Sequence, residues 1–455
     1  MAEKAKFGSK IGLVAATVGS AIGLGNVWRF PAETQANGGA AFLVVYVLCV
    51  LLLGIPVMLA EFSLGRSAGT DAVGAYRKFS KHSPWWLAGA LPVLAAYLIL
   101  SFYMVVAGWT LEYFLQSLSG NLFAGVTTDA DASALDGVFK ARMQEYICGS
   151  TGPLVNTYVL ILLNLGVLLF GVRKGIERLS NVLMPMLFLL LVVFCCVSLS
   201  LPKAGEGLRF FFAPDFSKIT PGVVVNALGQ AFFSLSLGMG ILITYAAYYP
   251  KETRLFRTAV TVSLLDMMAA ILMGVVIFPA VTSFGLGDAD LEGTALVFVT
   301  LPEVFARMPG TQLWSALFFL LLLVAALTST VSIAEVSVSF VQNRFHRSRR
   351  AACLIVLLPL FGLSALSALS FGVLSDWKIC GQVFFDFLDT VATNIMLPVA
   401  SILLCLFIGW RRPGVLRGEL SNYSEYDHRL QRPIAFIVKW IAPGLILLVL
   451  IAGFL

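Results

Sequence analysis

Charge is what this sequence has least of: Asp, Glu, Lys and Arg together make up 12% of its 455 residues, while 59% are hydrophobic. A water-soluble domain carries roughly twice that share of charge. A fold bathed in water is therefore excluded, and a bilayer is the solvent that fits. Cys-x-x-Cys pairs are also missing. Five of the seven cysteines, Cys49, Cys195, Cys196, Cys353 and Cys405, sit inside apolar runs, which argues against a zinc or dithiol redox site. Cys148 and Cys380 are the only loop candidates for a disulfide, a pairing the sequence does not favour. No GxxxxGK[ST] stretch exists, so ATP-driven pumping has no basis. The net charge of +6 forms no basic stripe and argues against a nucleic-acid partner. A pore-lining polar stripe, which a channel needs, is absent as well. Lys4, Lys6 and Lys10 precede an apolar stretch in the manner of a signal peptide, but the stretch runs on into Asn26, Trp28, Arg29 and Pro31 without a cleavage site.

What the sequence has instead is apolar length. About twenty apolar residues cross a bilayer, and eleven segments qualify: 11–36, 41–65, 86–118, 153–171, 176–201, 222–249, 256–285, 311–343, 350–369, 383–410 and 433–455. If the N-terminus is cytoplasmic, the inner segments hold 22 Lys and Arg and the outer loops 7. The positive-inside rule thus predicts an N-terminus inside and, with an odd number of spans, a C-terminus outside. Among the loops, 286–310 carries an apolar run too short to span, from Ala295 to Leu301, followed by Pro302; it reads as a lid over a cavity.

Two spans are interrupted by glycine: Gly19-Ser20-Ala21-Ile22-Gly23-Leu24-Gly25-Asn26 in the first, and Ser234-Leu235-Ser236-Leu237-Gly238-Met239-Gly240 in the sixth. Single glycines in membrane helices serve close packing. Two clusters five spans apart point to something else, because five is odd and two five-span repeats then have opposite topology. Interrupted helices at matching positions of inverted halves mark a transporter's binding site, a rule drawn partly from transporters of the leucine-transporter type. Unwound backbone survives at mid-membrane only where it lines a cavity or binds ions.

The runs GSAIGLGNVWRFP (19–31), NGGAAF (37–42), AFFSLSLGMG (231–240), IFPAV (277–281) and AALTST (325–330) closely resemble the neurotransmitter:sodium symporters, in particular their short bacterial members. The resemblance implies an all-α polytopic membrane protein with the inverted five-plus-five, leucine-transporter-like fold plus an eleventh helix. It divides the chain into a first repeat (1–201), an outer loop (202–221), a second repeat (222–410) with the lid 286–310, a cytoplasmic loop (411–432) and helix 11 (433–455). It implies two Na⁺ ions: site one at Ala21, Asn26, Ser234 and Asp266, site two at Gly19, Ile22, Ala325, Thr328 and Ser329. The family often has asparagine where Asp266 stands. A carboxylate in the otherwise uncharged run 260–279 is a functional-site candidate in its own right. Ala270 occupies the position of a serine used by chloride-dependent relatives. Chloride independence follows as an expectation, with Asp266 supplying the fixed charge.

The resemblance further implies an amino-acid site. The substrate carboxylate would meet the break near Ala21, Leu24 and Gly25 and the Tyr103 hydroxyl. The amine would meet carbonyls near Phe233 and Ser236. Leu24, Ile99, Phe233, Ser236, Met239, Ser329 and Ile333 would set selectivity. Monoamine-transporting relatives carry an aspartate where this chain has Gly23, so the substrate should bring its own carboxylate. Deformable Met239 suits a large hydrophobic or aromatic L-amino acid. The outer gate would be Arg29 with Asp389, above the lid of Tyr103 and Phe233. At the inner gate Lys4, Phe7 and Asn343 replace the usual arginine, tryptophan and aspartate. That implies a weaker closure, with Tyr248 contributing. Glu61 and Glu335 read as structural acids bonding broken helix ends. The expected function is sodium-coupled amino-acid uptake across a bacterial inner membrane, with no enzymatic step and no obligate protein partner. Proton coupling through Asp266, and sensing without transport, remain as alternatives.

Overall fold

A computed structural model describes residues 7–126, 132–286, 293–422 and 429–453. It is almost entirely helical, as the apolar runs require: a peptide group in hydrocarbon must find its hydrogen bond within its own segment. The elements are α1 (Lys10–Ala21), α2 (Gly25–Ala36), α3 (Ala40–Ala68), α4 (Ala72–Phe79), α5 (Trp86–Ser119), α6 (Ala132–Cys148), α7 (Thr151–Leu169), α8 (Val172–Leu199) and α9 (Ala204–Phe212). They continue with α10 (Pro221–Ser234), α11 (Ile241–Ala246), α12 (Leu255–Ser283), α13 (Leu296–Ala306), α14 (Thr311–Phe345), α15 (Arg349–Leu369), α16 (Phe384–Arg411), α17 (Pro413–Leu420) and α18 (Gln431–Ala452). A short hairpin, β1 (Lys378–Ile379) with β2 (Gln382–Val383), precedes α16.

Among the described residues nine helices are long and apolar enough to cross a membrane, and the bent pair α1–α2 makes a tenth. The pair α10–α11, split by the non-helical residues 235–240, completes the eleven spans read from the sequence. The chain is thus a multi-pass membrane protein with a leucine-transporter-like fold. Its centre is α14, 78% buried over its most apolar stretch, packed chiefly on α5; α18, at 22%, lies on the periphery. Leu52, Leu94, Leu162, Leu189, Leu358 and Leu448 point outward from the spans. In water such a belt would be an aggregation surface; here it faces lipid.

Local chemistry fixes the helix ends. Ser9 caps α1 by accepting from the Gly12 N–H at 2.9 Å, Asp71 caps α4 through Gly74 at 3.0 Å, and Thr220 caps α10 through Val223 at 3.3 Å. Four connections that read as loops, 66–85, 119–152, 202–221 and 411–432, contain the helices α4, α6, α9 and α17. Their charged residues hide them from an apolar-run count. The lid segment does hold a helix, α13, while 287–292 lies outside the described residues. Cys148 and Cys380 do not pair: both are free thiols, and Cys148 Sγ donates to the Phe371 carbonyl at 3.2 Å.

Candidate functional site

The first break is a bend where one residue leaves helical geometry. α1 ends at Ala21, Ile22 turns extended (φ −71°, ψ 106°), and α2 leaves at 57° to α1, beginning with a π-helical turn at Gly25–Arg29. This frees the Leu24 N–H, which donates to the Tyr103 hydroxyl at 3.0 Å, and the Gly23 N–H, which donates to Asn26 Oδ1 at 3.2 Å. Gly23 is required by close approach: a Cβ there would lie 2.7 Å from Ser329 Oγ and 2.9 Å from the Tyr103 hydroxyl.

The second break runs through three left-handed residues, Ser236 (φ 53°), Gly238 (φ 79°) and Gly240 (φ 72°). Two of the three are glycine, the residue for which this region is free of strain. Buried Glu61 accepts the Gly238 N–H at 2.7 Å, and Ser236 Oγ donates to the Ser20 carbonyl at 2.9 Å. The two interruptions therefore touch, deep in the bundle.

Beside them lies a fully buried polar cluster. Asn26 Nδ2 donates to Asp266 Oδ1 at 2.8 Å and to Ser234 Oγ at 3.1 Å, and Ser234 Oγ donates to Asp266 Oδ2 at 2.7 Å. Tyr46 joins through its hydroxyl, 3.3 Å from Ser234 Oγ. The described residues place no basic side chain in ion-pair contact with Asp266. An ionised carboxylate at such a depth demands a compensating cation. On the other side of the break, Ser329 Oγ sits 3.5 Å from the Gly19 carbonyl and 3.3 Å from that of Ile22, while Thr328 Oγ1 bonds the Val324 and Ala325 carbonyls of its own helix. Neutral oxygens converge there from α1 and α14, a donor set suited to a hard monovalent cation. No group of three or more His, Cys, Asp or Glu residues suited to a metal occurs among the described residues.

Between the breaks is a small cavity of about 40 Å³. Ala21, Gly25, Ile99, Tyr103, Phe233, Ser236, Met239, Ser329 and Ile333, all expected from the sequence, line it together with Ser20, Gly23, Phe102, Ser234 and Thr393. None of these is charged. Leu24 faces the neighbouring vestibule instead. Gly25, Phe102, Tyr103, Phe233 and Thr393 line both spaces, so the cavity opens toward the Arg29 end of the bundle. Arg29 and Asp389 both line the vestibule, but they form no ion pair: Arg29 pairs with Glu33 (3.8 Å) and lies over the Phe233 ring at 4.6 Å, while Asp389 Oδ1 accepts from Thr393.

A cavity of small and apolar side chains, opening to one face and flanked by two oxygen clusters, is the architecture of a solute carrier, and the comparisons say which. The model of the sodium:neurotransmitter symporter family matches residues 4–131 and 141–455. The chain belongs to that family. It is a sodium-dependent transporter, not an enzyme. It is 38% identical to an uncharacterized sodium-dependent transporter of Bacillus subtilis (strain 168), over 98% of this chain and 96% of the relative. An uncharacterized sodium-dependent transporter of Methanocaldococcus jannaschii is 35% identical over 93% of this chain and 85% of its own length. The crystal structure of MhsT in complex with L-phenylalanine superposes with a TM-score of 0.87 at 40% identity, covering 99% of this chain and all of that one.

The opposite end of this symporter is closed. Phe7 packs edge-on against Tyr245 and Tyr248 and tilted against Tyr249, and its N–H donates to the Tyr248 carbonyl. Lys4 lies outside the described residues. Among the described residues Asn343 reaches Ser339 (3.3 Å) and Asp71. Two acids not assigned to gating from the sequence occupy this end. Glu177 accepts from the Gly8 N–H (2.7 Å), the Ser9 N–H (3.0 Å) and Ser9 Oγ (2.9 Å), tying the start of α1 to α8. Glu335 pairs with Arg349 at 2.5 Å and accepts from the Tyr248 hydroxyl at 2.9 Å. These contacts stand beside the weaker closure expected from the replaced lock residues. Charge-assisted bonds of this kind are worth about 1.5–3 kcal/mol each. Glu177→Ala should raise amide exchange over residues 7–13 by at least about tenfold, read by hydrogen–deuterium exchange, while leaving residues 26 and 266 protected. Unchanged exchange would show that Glu177 does not hold this end.

Proposed function

We propose that this symporter couples two sodium ions to the uptake of a neutral L-amino acid with a large hydrophobic or aromatic side chain, without chloride. The observation that carries the reading is the buried Asn26–Ser234–Asp266 cluster beside an uncharged cavity bounded by two helix breaks. Asp266 would supply at site one the negative charge that chloride supplies elsewhere. Ala21, Asn26 and Ser234 would complete that site, and Gly19, Ile22, Ala325, Thr328 and Ser329 the second.

In this reading the substrate carboxylate takes the Leu24 and Gly25 N–H groups and the Tyr103 hydroxyl, displacing the Leu24–Tyr103 bond. The start of α2 favours an anion through the positive end of its helix dipole and its N-terminal N–H groups. The ammonium takes carbonyls at the second break, near Phe233 and Ser236. The side chain lies among Ile99, Phe233, Met239 and Ile333. Shared contact between carboxylate and the first ion makes the two affinities rise together, and this coupling is reciprocal. The MhsT complex with L-phenylalanine supports an aromatic substrate. With a tenfold gradient and 100 mV, two ions make available about 7 kcal/mol, roughly a 10⁵-fold concentration ratio for a neutral solute.

The 22-to-7 bias of basic residues supports a cytoplasmic N-terminus, with the vestibule at Arg29 facing outward. Closing it would bring Arg29 to Asp389 over Tyr103 and Phe233; opening the other face would release Phe7 and Tyr248. Asp266, fully buried, also supports a second reading in which a proton replaces one ion. Uptake of twenty labelled amino acids into proteoliposomes separates the readings. Large apolar substrates should accumulate under a sodium gradient, and choline replacement should abolish uptake. Accumulation driven by a pH gradient alone would favour the proton.

A further inference from the structure

One heavily bonded cation belongs to neither the ion sites nor the gates. Arg66 lies in the last turn of α3, and the contacts along that helix lead up to it. Glu61 holds the Gly238 N–H; one turn on, Gly65 lies against the backbone of α11, where a Cβ would fall 2.1 Å from the Ile243 carbonyl oxygen. Arg66 follows, buried with its partner Glu419: their side chains are 5% and 4% exposed. A guanidinium has five N–H donors, and here each has an acceptor. Nε donates to the Glu419 carboxylate, Nη1 to the carbonyls of Lys251 and Thr253, and Nη2 to the Glu419 carbonyl and Asn422 Oδ1, both at 2.9 Å. These acceptors come from two segments far apart in sequence, the chain leaving α11 and the end of α17. The start of α17 is tied separately: Arg412 Nε donates to the Phe79 carbonyl at the end of α4 at 2.8 Å, and Lys78 of α4 donates to the Ser67 carbonyl of α3 at 2.7 Å.

A carrier open at one end must open the other to release its solute, so some contacts at the closed end must part. Separating a buried ion pair strands both charges and is among the costlier changes open to a protein. The ring contacts of Phe7 and the single bond from Tyr248 to Glu335 cost less to break. We infer that Arg66 is a positioning residue that joins α3, α11 and α17 into one body, which moves as a unit when the closed end opens. This rests on the opening described above, in which Phe7 and Tyr248 are released. Because α16 runs directly into α17, the joint also carries motion of α11 to the helix that holds Asp389. The fork matters as much as the charge: a lysine has three donors on one nitrogen and no plane with which to reach both segments at once.

The test uses the full chain in proteoliposomes, with whichever amino acid the wild type accumulates, so that a wrong substrate assignment leaves the result untouched. Arg66→Gln should lower maximal uptake per binding site by about tenfold while amino-acid affinity stays within about twofold, a split that general damage does not produce. Hydrogen–deuterium exchange should rise together over 251–256 and 414–420 by at least about tenfold, since both segments lose the same guanidinium, while 19–26 stays protected. Arg66→Lys should recover less than about half of the lost rate. Should Arg66→Gln fail to fold, the lysine variant carries the test alone, with the same paired rise in exchange and a loss of turnover of at least about threefold. Unchanged turnover, affinity and turnover falling together, exchange rising in only one of the two segments, or wild-type behaviour with lysine would each overturn the proposal.

Discussion

Asp266→Asn is expected to weaken sodium-dependent amino-acid binding by about a hundredfold in chloride-free buffer. The carboxylate receives hydrogen bonds from Asn26 and Ser234 and has no basic partner among the described residues. Removing one member of a buried charge pair costs about 3 kcal/mol or more, and about 2.7 kcal/mol is a hundredfold. Asparagine keeps the shape, so the loss reports charge and not packing. Chloride should restore part of the affinity, since an anion can then stand where the fixed charge stood. The check is sodium titration of labelled amino-acid binding in chloride and in gluconate. Affinity unchanged in both media would remove Asp266 from the ion site.

Gly238→Ala should lower transport by more than about a hundredfold. Its φ of 79° is a left-handed conformation, and a Cβ there would fall 2.5 Å from the Leu397 carbonyl oxygen and from Ser401 Oγ. The conformation costs an L-residue about 1–2 kcal/mol, and overpacking another 1–3 kcal/mol. Relief requires straightening residues 235–240 or displacing α16, and either dismantles the break. Gly362→Ala is the control: a methyl group on that helical glycine would meet nothing within 4 Å, and the variant should transport normally. Initial uptake rates normalised to folded protein decide the matter, and equal rates for the two variants would mean the break does not need its geometry.

The spans were legible because hydrocarbon imposes one requirement, apolar length, which the sequence displays directly. The breaks were legible because glycine is tolerated at mid-span only for packing or unwinding, and two clusters five spans apart favour the second. Where charge enters a helix, legibility drops. The fifth span starts at Val172 and not near 176, because the π-helical turn Val172–Glu177 carries Arg173, Lys174 and Glu177 and reads as loop. Tyr46 was missed because, among the apolar residues of α3, one tyrosine looks like packing; its alignment with Ser234 exists only in three dimensions. Glu177 was missed because its partners are backbone N–H groups 168 and 169 residues away. An acid near a glycine-flanked basic turn was the only signal. The expected Arg29–Asp389 pair, absent here, illustrates a different limit: a gate would have two states, and a sequence that suggests its members does not say which state a structure holds.

The most direct measurement is equilibrium binding of a labelled large apolar amino acid to the purified transporter as a function of sodium concentration, in chloride and in gluconate. If zwitterion and cations share the paired helix interruptions, amino-acid affinity rises with sodium along a slope approaching two ions and is the same with either anion. Binding that persists undiminished in choline, or that requires chloride, would contradict the account.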